Sequence, residues 1–212
     1  MKKIEQKVLK FIDEKNLISK NDIVLVALSG GPDSVFLLYF LNKFKKRFQI
    51  SIGVFHLNHK LRGKNSDDDL IFCKNLSDKM KIDFLSSAKN IKQFAKENKI
   101  SIEEAGRKIR YEELHRIAEK NNYNKIATAH IADDNTETVL LNLIKGTGLK
   151  GISGIPIKRG NIIRPILILT KKEILEYLHY YEIDYRVDES NLSIDYERNF
   201  LRSEVIPLIK KN

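Results

Sequence analysis

The sequence predicts an α/β domain: a five-stranded, mainly parallel sheet with helices on both faces. Three observations predict it. Short apolar runs rich in Val, Ile and Leu alternate with longer stretches of helical periodicity along the chain. The run Val24–Leu28 has the unbroken apolar character of a strand buried on both sides. It stops at Ser29-Gly30-Gly31-Pro32-Asp33-Ser34, and helical periodicity resumes directly after Ser34, as in a strand–turn–helix unit.

Each element has its own signal. Ile4, Val8, Phe11 and Ile12 form a helical stripe over residues 3–14, part of an N-terminal helical segment (1–20) expected to pack on the domain. The first strand is expected at 23–28, a helix at 34–46 and a second strand at 50–57. A helix to about residue 80 is expected to start at Ser66 as cap, with Asp67, Asp68 and Asp69 favoured at the positive helix end. A short strand, Ile82–Leu85, and a helix at 90–98 follow. Ser101-Ile102-Glu103-Glu104 reads as a capping box opening a helix to about 121. Lys125–Ala129 is the fourth strand, with a helix starting near Asp134. The fifth strand falls within 162–168, and Thr170-Lys171-Lys172-Glu173 is a second capping box, for a helix to about 181. A loop at 184–196 leads to a last helix from about 197. Gly146–Ile155 is the most irregular part, either a mobile functional loop or a long turn.

Composition narrows the function classes. The 212 residues suit one domain that buries roughly 70% of its unfolded surface. The single cysteine, Cys73, excludes an intrachain disulfide and any Cys-x-x-Cys metal site, and reads as a small packing residue. Lys and Arg number 38 against 28 Asp and Glu, a net charge of +10 that suits either a polyanion such as RNA or a solubilising surface. There is no secretory leader pattern and no run of 18 apolar residues, so a cytoplasmic protein without a membrane partner is expected.

Five strings carry candidate chemistry. In Ser29–Ser34 the turn feeds a helix N-terminus, so backbone N–H groups and the helix dipole converge on one point, an anion site. Gly30 and Gly31 allow close backbone approach, and Pro32 suits the first helical position. Asp33 would repel a phosphate unless a metal cation sat between them. The string is not a Walker A loop, since no Gly-Lys-Ser/Thr follows.

Ala127–Thr138, with His130, Asp133, Asp134 and Glu137, follows the fourth strand as the first string follows the first strand. In an open doubly wound sheet both would face one crevice. Asp134 and Glu137 also have the spacing of a helix cap and its reciprocal partner, and His130 could be a turn histidine. His56–Gly63 places His56, His59 and Arg62 after the second strand; no further ligand completes zinc, so contacts to a nucleotide or RNA phosphate are the alternative. Arg107 and Arg110 share a helix face, for surface ion pairs or for phosphate charge. Arg198 and Arg202 are i, i+4 neighbours on a phosphate-binding or a solvated face.

The string Ser29–Ser34 resembles the pyrophosphate loop (PP-loop) of the ATP pyrophosphatase superfamily. Taken with His56–Arg62, Glu103–Tyr111, Ala127–Thr138, Gly146–Pro156, Arg164-Pro165 and Asp188–Pro207 in the same order, it resembles one branch, the bacterial tRNA(Ile)-lysidine synthetases. The resemblance implies an adenine-nucleotide-hydrolase, Rossmann-like fold with five parallel strands. It implies ATP-dependent adenylation of the wobble cytidine of a tRNA(Ile) with anticodon CAU. Lysine then displaces AMP at C2 to give lysidine.

Carried over, Ser29, Gly30, Gly31, Pro32, Asp33 and Ser34 would hold the ATP phosphates, with His56 beside the nucleotide. Asp33 and Asp134 would work with Mg2+. Asp134 and Glu137 would meet the L-lysine substrate, and Arg110 and Arg202 the activated intermediate. His59, Arg62, His130, Arg107 and Arg198 would be further substrate contacts. Family members usually continue past Val205-Ile206-Pro207 into tRNA-gripping regions, so residues 1–212 are expected to be the single catalytic domain without them, either a fragment or an unusually short member, with intact ATP binding and weakened tRNA affinity or selectivity. Monomer and homodimer both stay open. Rival readings are a thiolase-type tRNA modifier, for which Cys73 is the one cysteine available, an amide-forming synthetase, and a non-catalytic nucleotide- or RNA-binding module.

Overall fold

The computed structural model describes residues 1–60, 64–187 and 200–211. The chain runs α1 (Lys2–Glu14), β1 (Ile23–Ala27), α2 (Pro32–Phe48), β2 (Ser51–Asn58), α3 (Lys64–Met80), β3 (Asp83–Ala88), α4 (Ile91–Asn98) and α5 (Ile102–Lys120). It continues through β4 (Lys125–Ala127), α6 (Ala132–Ile144), α7 (Gly148–Ile152), β5 (Lys158–Arg159), β6 (Ile162–Ile163) and α8 (Lys171–Tyr180). A π-helical turn, Leu201–Val205, leads into α9 (Ile206–Lys211).

The strand order is β3-β2-β1-β4-β6-β5. The expected parallel strands are β1, β2, β3, β4 and β6; the sheet has a sixth strand, β5, antiparallel to β6. Strand β5 consists of two exposed basic residues, Lys158 and Arg159, which carry no strand signal of their own. They pair only because the chain doubles back through Gly160 and Asn161 onto Ile163 and Ile162.

Alternation along β1 builds two cores. Val24 and Val26 face a layer made with α1, α2, α3 and α8, through Val8, Ile12, Phe36, Phe40, Cys73 and Leu178. Leu25 faces the other layer, made with α4 and α5 through Ile91, Ile109 and Leu114. The helix α1 packs on the domain as expected. Its Glu5 is buried, receiving Lys43 Nζ at 2.7 Å and the Tyr177 hydroxyl at 2.9 Å. Burial alone would push the Glu5 carboxyl up; the Lys43 ammonium and the Tyr177 hydroxyl outweigh it and hold the group below the ordinary range.

Caps hold most helix starts where the sequence puts them. Ser101 Oγ accepts the Glu104 N–H at 3.1 Å, and Thr170 and Glu173 form a reciprocal box. Two expectations are corrected. The helix α3 begins at Lys64, so Ser66 lies inside it and is buried rather than capping. The acidic residues there have distant partners: Asp67 accepts from Asn58 Nδ2 at 2.9 Å and Asp69 from Arg186 Nε at 3.1 Å. Asp134 and Glu137 are not cap and reciprocal partner: Ile131 is the N-cap of α6, and Asp134, three residues on, accepts its N–H at 2.9 Å.

The Gly146–Ile155 segment contains α7 and is tied to α6 by several hydrogen bonds. Asn142 Nδ2 donates to the Gly151 carbonyl at 2.9 Å, and the Ile155 N–H donates to Asn135 Oδ1 at 2.7 Å. Among the described residues no helix is long and apolar enough to cross a membrane.

Gly53 in β2 is set by packing, since a Cβ there would run into the Tyr123 hydroxyl. Gly53→Ala is expected to cost about 1–3 kcal/mol of stability, read by urea melts.

Candidate functional site

The site lies where the sheet reverses its winding. From β1 the chain steps to β2 and β3 on one side; β4 returns to the other side of β1, with Val26 beside Ala127. The strings that follow β1 and β4 therefore leave the same sheet edge side by side, at the position where open α/β sheets hold ligands.

The loop after β1 is shaped by its own serines. Ser34 Oγ donates to the Gly31 carbonyl at 2.9 Å, accepts the Ser29 N–H at 3.2 Å and lies 3.1 Å from Ser29 Oγ. Gly31 is the N-cap of α2 and Pro32 its first residue. The first helical bond joins Val35 N–H to the Gly31 carbonyl at 3.0 Å, so the helix itself offers no partner to the Asp33 and Ser34 N–H groups. These are the donors of an anion cradle.

Gly30 has φ +91°, and a Cβ there would lie 3.3 Å from Cys73 Sγ. Its carbonyl accepts the Arg186 N–H at 2.9 Å, and Arg186 also pairs with Asp69. Gly30→Ala is expected to combine backbone strain with that tight contact, lowering stability by about 1–3 kcal/mol in urea melts.

Beneath the loop, His56 is 4% exposed and donates from Nδ1 to the Leu28 carbonyl at 2.9 Å. Burial holds its imidazole below the ordinary range, so it braces the end of β1 as a neutral ring. Cys73 is buried under the same turn and its thiol is pushed up to about 12, first by desolvation and then by Asp69. It is a packing residue, as its sequence context suggests, and an unreactive one.

Facing the loop stands an acidic group with one guanidinium. Glu137 is 2% exposed and receives Arg202 through two bonds, Nε at 2.7 Å and Nη2 at 3.0 Å. Asp134 is half-buried, and its carboxyl is pushed up to about 6. Desolvation is the main cause; Asp33 and Glu137 add like charge, opposed by the Ile131 N–H and by Arg202. Asp33, Asp134, Glu137 and Arg202 thus share one electrostatic neighbourhood, joining both strings to the C-terminal turn.

The residue that sequence reasoning missed is Lys171. Its Nζ lies 2.9 Å from Asp33 Oδ1 and 3.0 Å from Oδ2, and its backbone N–H donates to Asp133 Oδ2 at 2.8 Å. In sequence it belongs to the Thr170–Glu173 box, and that local role hides the distant one.

The other expected residues distribute unevenly. Thr128 Oγ1 and His130 Nδ1 share a 3.0 Å hydrogen bond at the end of β4. His59 is half-buried just after β2. Arg107 and Arg110 are on α5. Arg110 keeps solvent access, yet desolvation holds its guanidinium below the ordinary arginine range, with Arg107 adding like charge. Tyr111, beside it, accepts from Arg164 Nη2 at 3.2 Å, which ties this turn of α5 to the end of β6. Arg62 and Arg198 lie outside the described residues.

Chemically, the arrangement offers an anion cradle and two carboxylates, Asp33 and Asp134, of the hard-oxygen type that suits a divalent cation. No set of three or more His, Cys, Asp or Glu gathers as a metal site among the described residues. Two carboxylates fit the mode in which Mg2+ takes its remaining oxygens from phosphates and water.

Comparison with known proteins agrees with this layout. Residues 1–209 match the PP-loop domain family. The chain is 43% identical over 210 residues to the tRNA(Ile)-lysidine synthase of Clostridioides difficile, covering 99% of this chain and 46% of that one. It is 42% identical to the protein of that name from Thermosipho africanus (97% and 48% covered) and 39% to that from Chlorobaculum tepidum (100% and 64%). The chain spans about half the length of most of the curated relatives it matches. Among solved structures it superposes on the U34-tRNA thiolase NcsA of Methanococcus maripaludis with a TM-score of 0.80 at 20% identity, covering 99% of this chain and 73% of that one. On the NH3-dependent NAD synthetase of Campylobacter jejuni the TM-score is 0.59 at 17% identity, with 100% and 87% covered. At these identities the two structures speak for the fold. With the family match over residues 1–209 and the glycine loop at the switch point, the chain belongs to the PP-loop domain family.

Proposed function

We propose that the chain carries the catalytic site of a tRNA(Ile)-lysidine synthetase. In this reading it activates the wobble cytidine of a CAU-anticodon tRNA(Ile) with ATP and transfers L-lysine to C2. The observation that carries the reading is the placement of Asp134 and Glu137 opposite the phosphate loop, with Asp134 pushed up to about 6 by burial and like charge. Such a group has a use for an ammonium.

The Asp33 and Ser34 N–H groups and the loop glycines would receive the phosphates. When bound, Mg2+ would offset charge on the phosphate oxygens, with Asp33 and Asp134 as its protein ligands. Cytosine O2 attacks the α-phosphorus, and pyrophosphate leaves. Arg110 and Arg202 would face the charge that builds on the non-bridging oxygens.

Lysine's ε-amine, with a free pKa of about 10.4, arrives charged. Asp134 would orient it and take its proton through a carboxylate oxygen not held by the metal. The freed amine attacks C2 and AMP leaves. Glu137, held by Arg202, would line the site that receives the ammonium.

The reading separates two product releases. Pyrophosphate release should need ATP, Mg2+ and the tRNA, whereas AMP release should also need lysine. AMP release driven by a sulfur donor and indifferent to lysine would favour a thiolase instead. ATP binding without either release would favour a non-catalytic module.

A further inference from the structure

We infer that Lys171 is a nucleotide-responsive cation. It pairs with Asp33 and turns to the phosphate oxygens when a metal–nucleotide binds. The inference deepens the functional reading above and rests on it. Three features of the chain carry it.

First, the backbone of Lys171 is fixed while its long side chain reaches into solvent-accessible space. The Lys171 backbone is held by Asp133 and by the Thr170–Glu173 box that starts α8, whereas its side chain is 42% exposed. Second, the ammonium sits against the phosphate cradle itself. Asp33 is the second residue of α2, and its N–H is one of the donors the helix leaves unpaired. A phosphate seated there would meet the Lys171 head group without any backbone rearrangement. Third, the pair is weak enough to be exchanged. With Asp33 26% exposed, such an ion pair contributes little to stability, and a divalent cation competes readily for the carboxylate. A compact ammonium on a flexible stem suits a move between oxygens better than a rigid guanidinium does.

Two binding constants with opposite expected signs test this. Calorimetric titrations of the whole chain would use free Mn2+ in one arm and a Mg2+ complex of a non-hydrolysable ATP analogue in the other. Lys171→Met should bind free Mn2+ several-fold more tightly, because Asp33 loses its resident cation. It should bind the nucleotide about tenfold more weakly, because a charge-assisted contact to phosphate is lost. Lys171→Arg should restore most of the nucleotide affinity. Nucleotide affinity unchanged in Lys171→Met, or both affinities falling together with the melting temperature, would overturn the inference while leaving the ATP reading intact. Absence of nucleotide binding by the unmodified chain would overturn both.

Discussion

Replacing Asp134 with asparagine is expected to stabilise the protein at neutral pH while abolishing lysine transfer. The Asp134 carboxyl is pushed up to about 6 from an ordinary value of 3.8. Between about pH 4 and pH 6 the folded chain therefore holds a proton that the unfolded chain has released. Stability falls as pH rises through that window, and the full cost applies above it. A shift of about two units corresponds to roughly 3 kcal/mol at most, and partial solvent access brings the expected effect to about 1–3 kcal/mol. Asparagine keeps an oxygen to accept the Ile131 N–H but cannot ionise. Its melting temperature should exceed that of the parent by several degrees at pH 7.5 and match it below pH 4. The same variant should lose at least 10²-fold in kcat/KM for lysine, since the carboxylate proposed to orient and deprotonate the amine is gone. Normal lysine transfer at saturating lysine would remove Asp134 from the chemistry.

Removing Arg202 has the opposite effect on stability. Glu137, 2% exposed, would be left without its two-pronged partner, at a cost of about 2–4 kcal/mol. The C-terminal turn would lose its bond to α6, and Asp134, which Arg202 holds down, would titrate higher still. Arg202→Ala should therefore melt earlier and lower kcat/KM by 10² or more. Arg202→Lys should recover part of the stability, since one ammonium cannot reproduce both bonds. In Glu137→Gln/Arg202→Ala the stability losses should be less than additive, because no uncompensated carboxylate remains. Activity should stay low. Strict additivity in thermal melts would mean that the two side chains act independently.

The legible and illegible parts of this protein divide by the range of the forces that set them. Strand β1 is readable because Val24, Leu25 and Val26 are buried on both faces, and burial leaves an apolar run. The caps at Ser101 and Thr170 are readable because donor and acceptor lie three residues apart. Strand β5 is not readable, since Lys158 and Arg159 extend only because their partner strand lies beside them. Ser66 misleads because the helix starts earlier, at Lys64: Asp67 does lie in its first turn, but Asp67 and Asp69 also serve the distant partners Asn58 and Arg186.

Within the site, the loop from Ser29 to Ser34 announces itself through local turn chemistry. The Glu137–Arg202 pair spans 65 residues and Lys171–Asp33 spans 138, separations at which spacing carries no information. Family resemblance supplied Arg202. Nothing supplied Lys171, whose capping segment offered a complete local explanation.

Incubating the chain with a CAU-anticodon tRNA(Ile), ATP, Mg2+ and L-lysine, and weighing the nucleoside recovered from the wobble position, tests the central claim most directly. A cytidine carrying one lysine in place of its C2 oxygen, absent when lysine or ATP is omitted and absent with Asp134→Asn, is the expected result. An unmodified wobble cytidine from a chain that still binds ATP would contradict the claim.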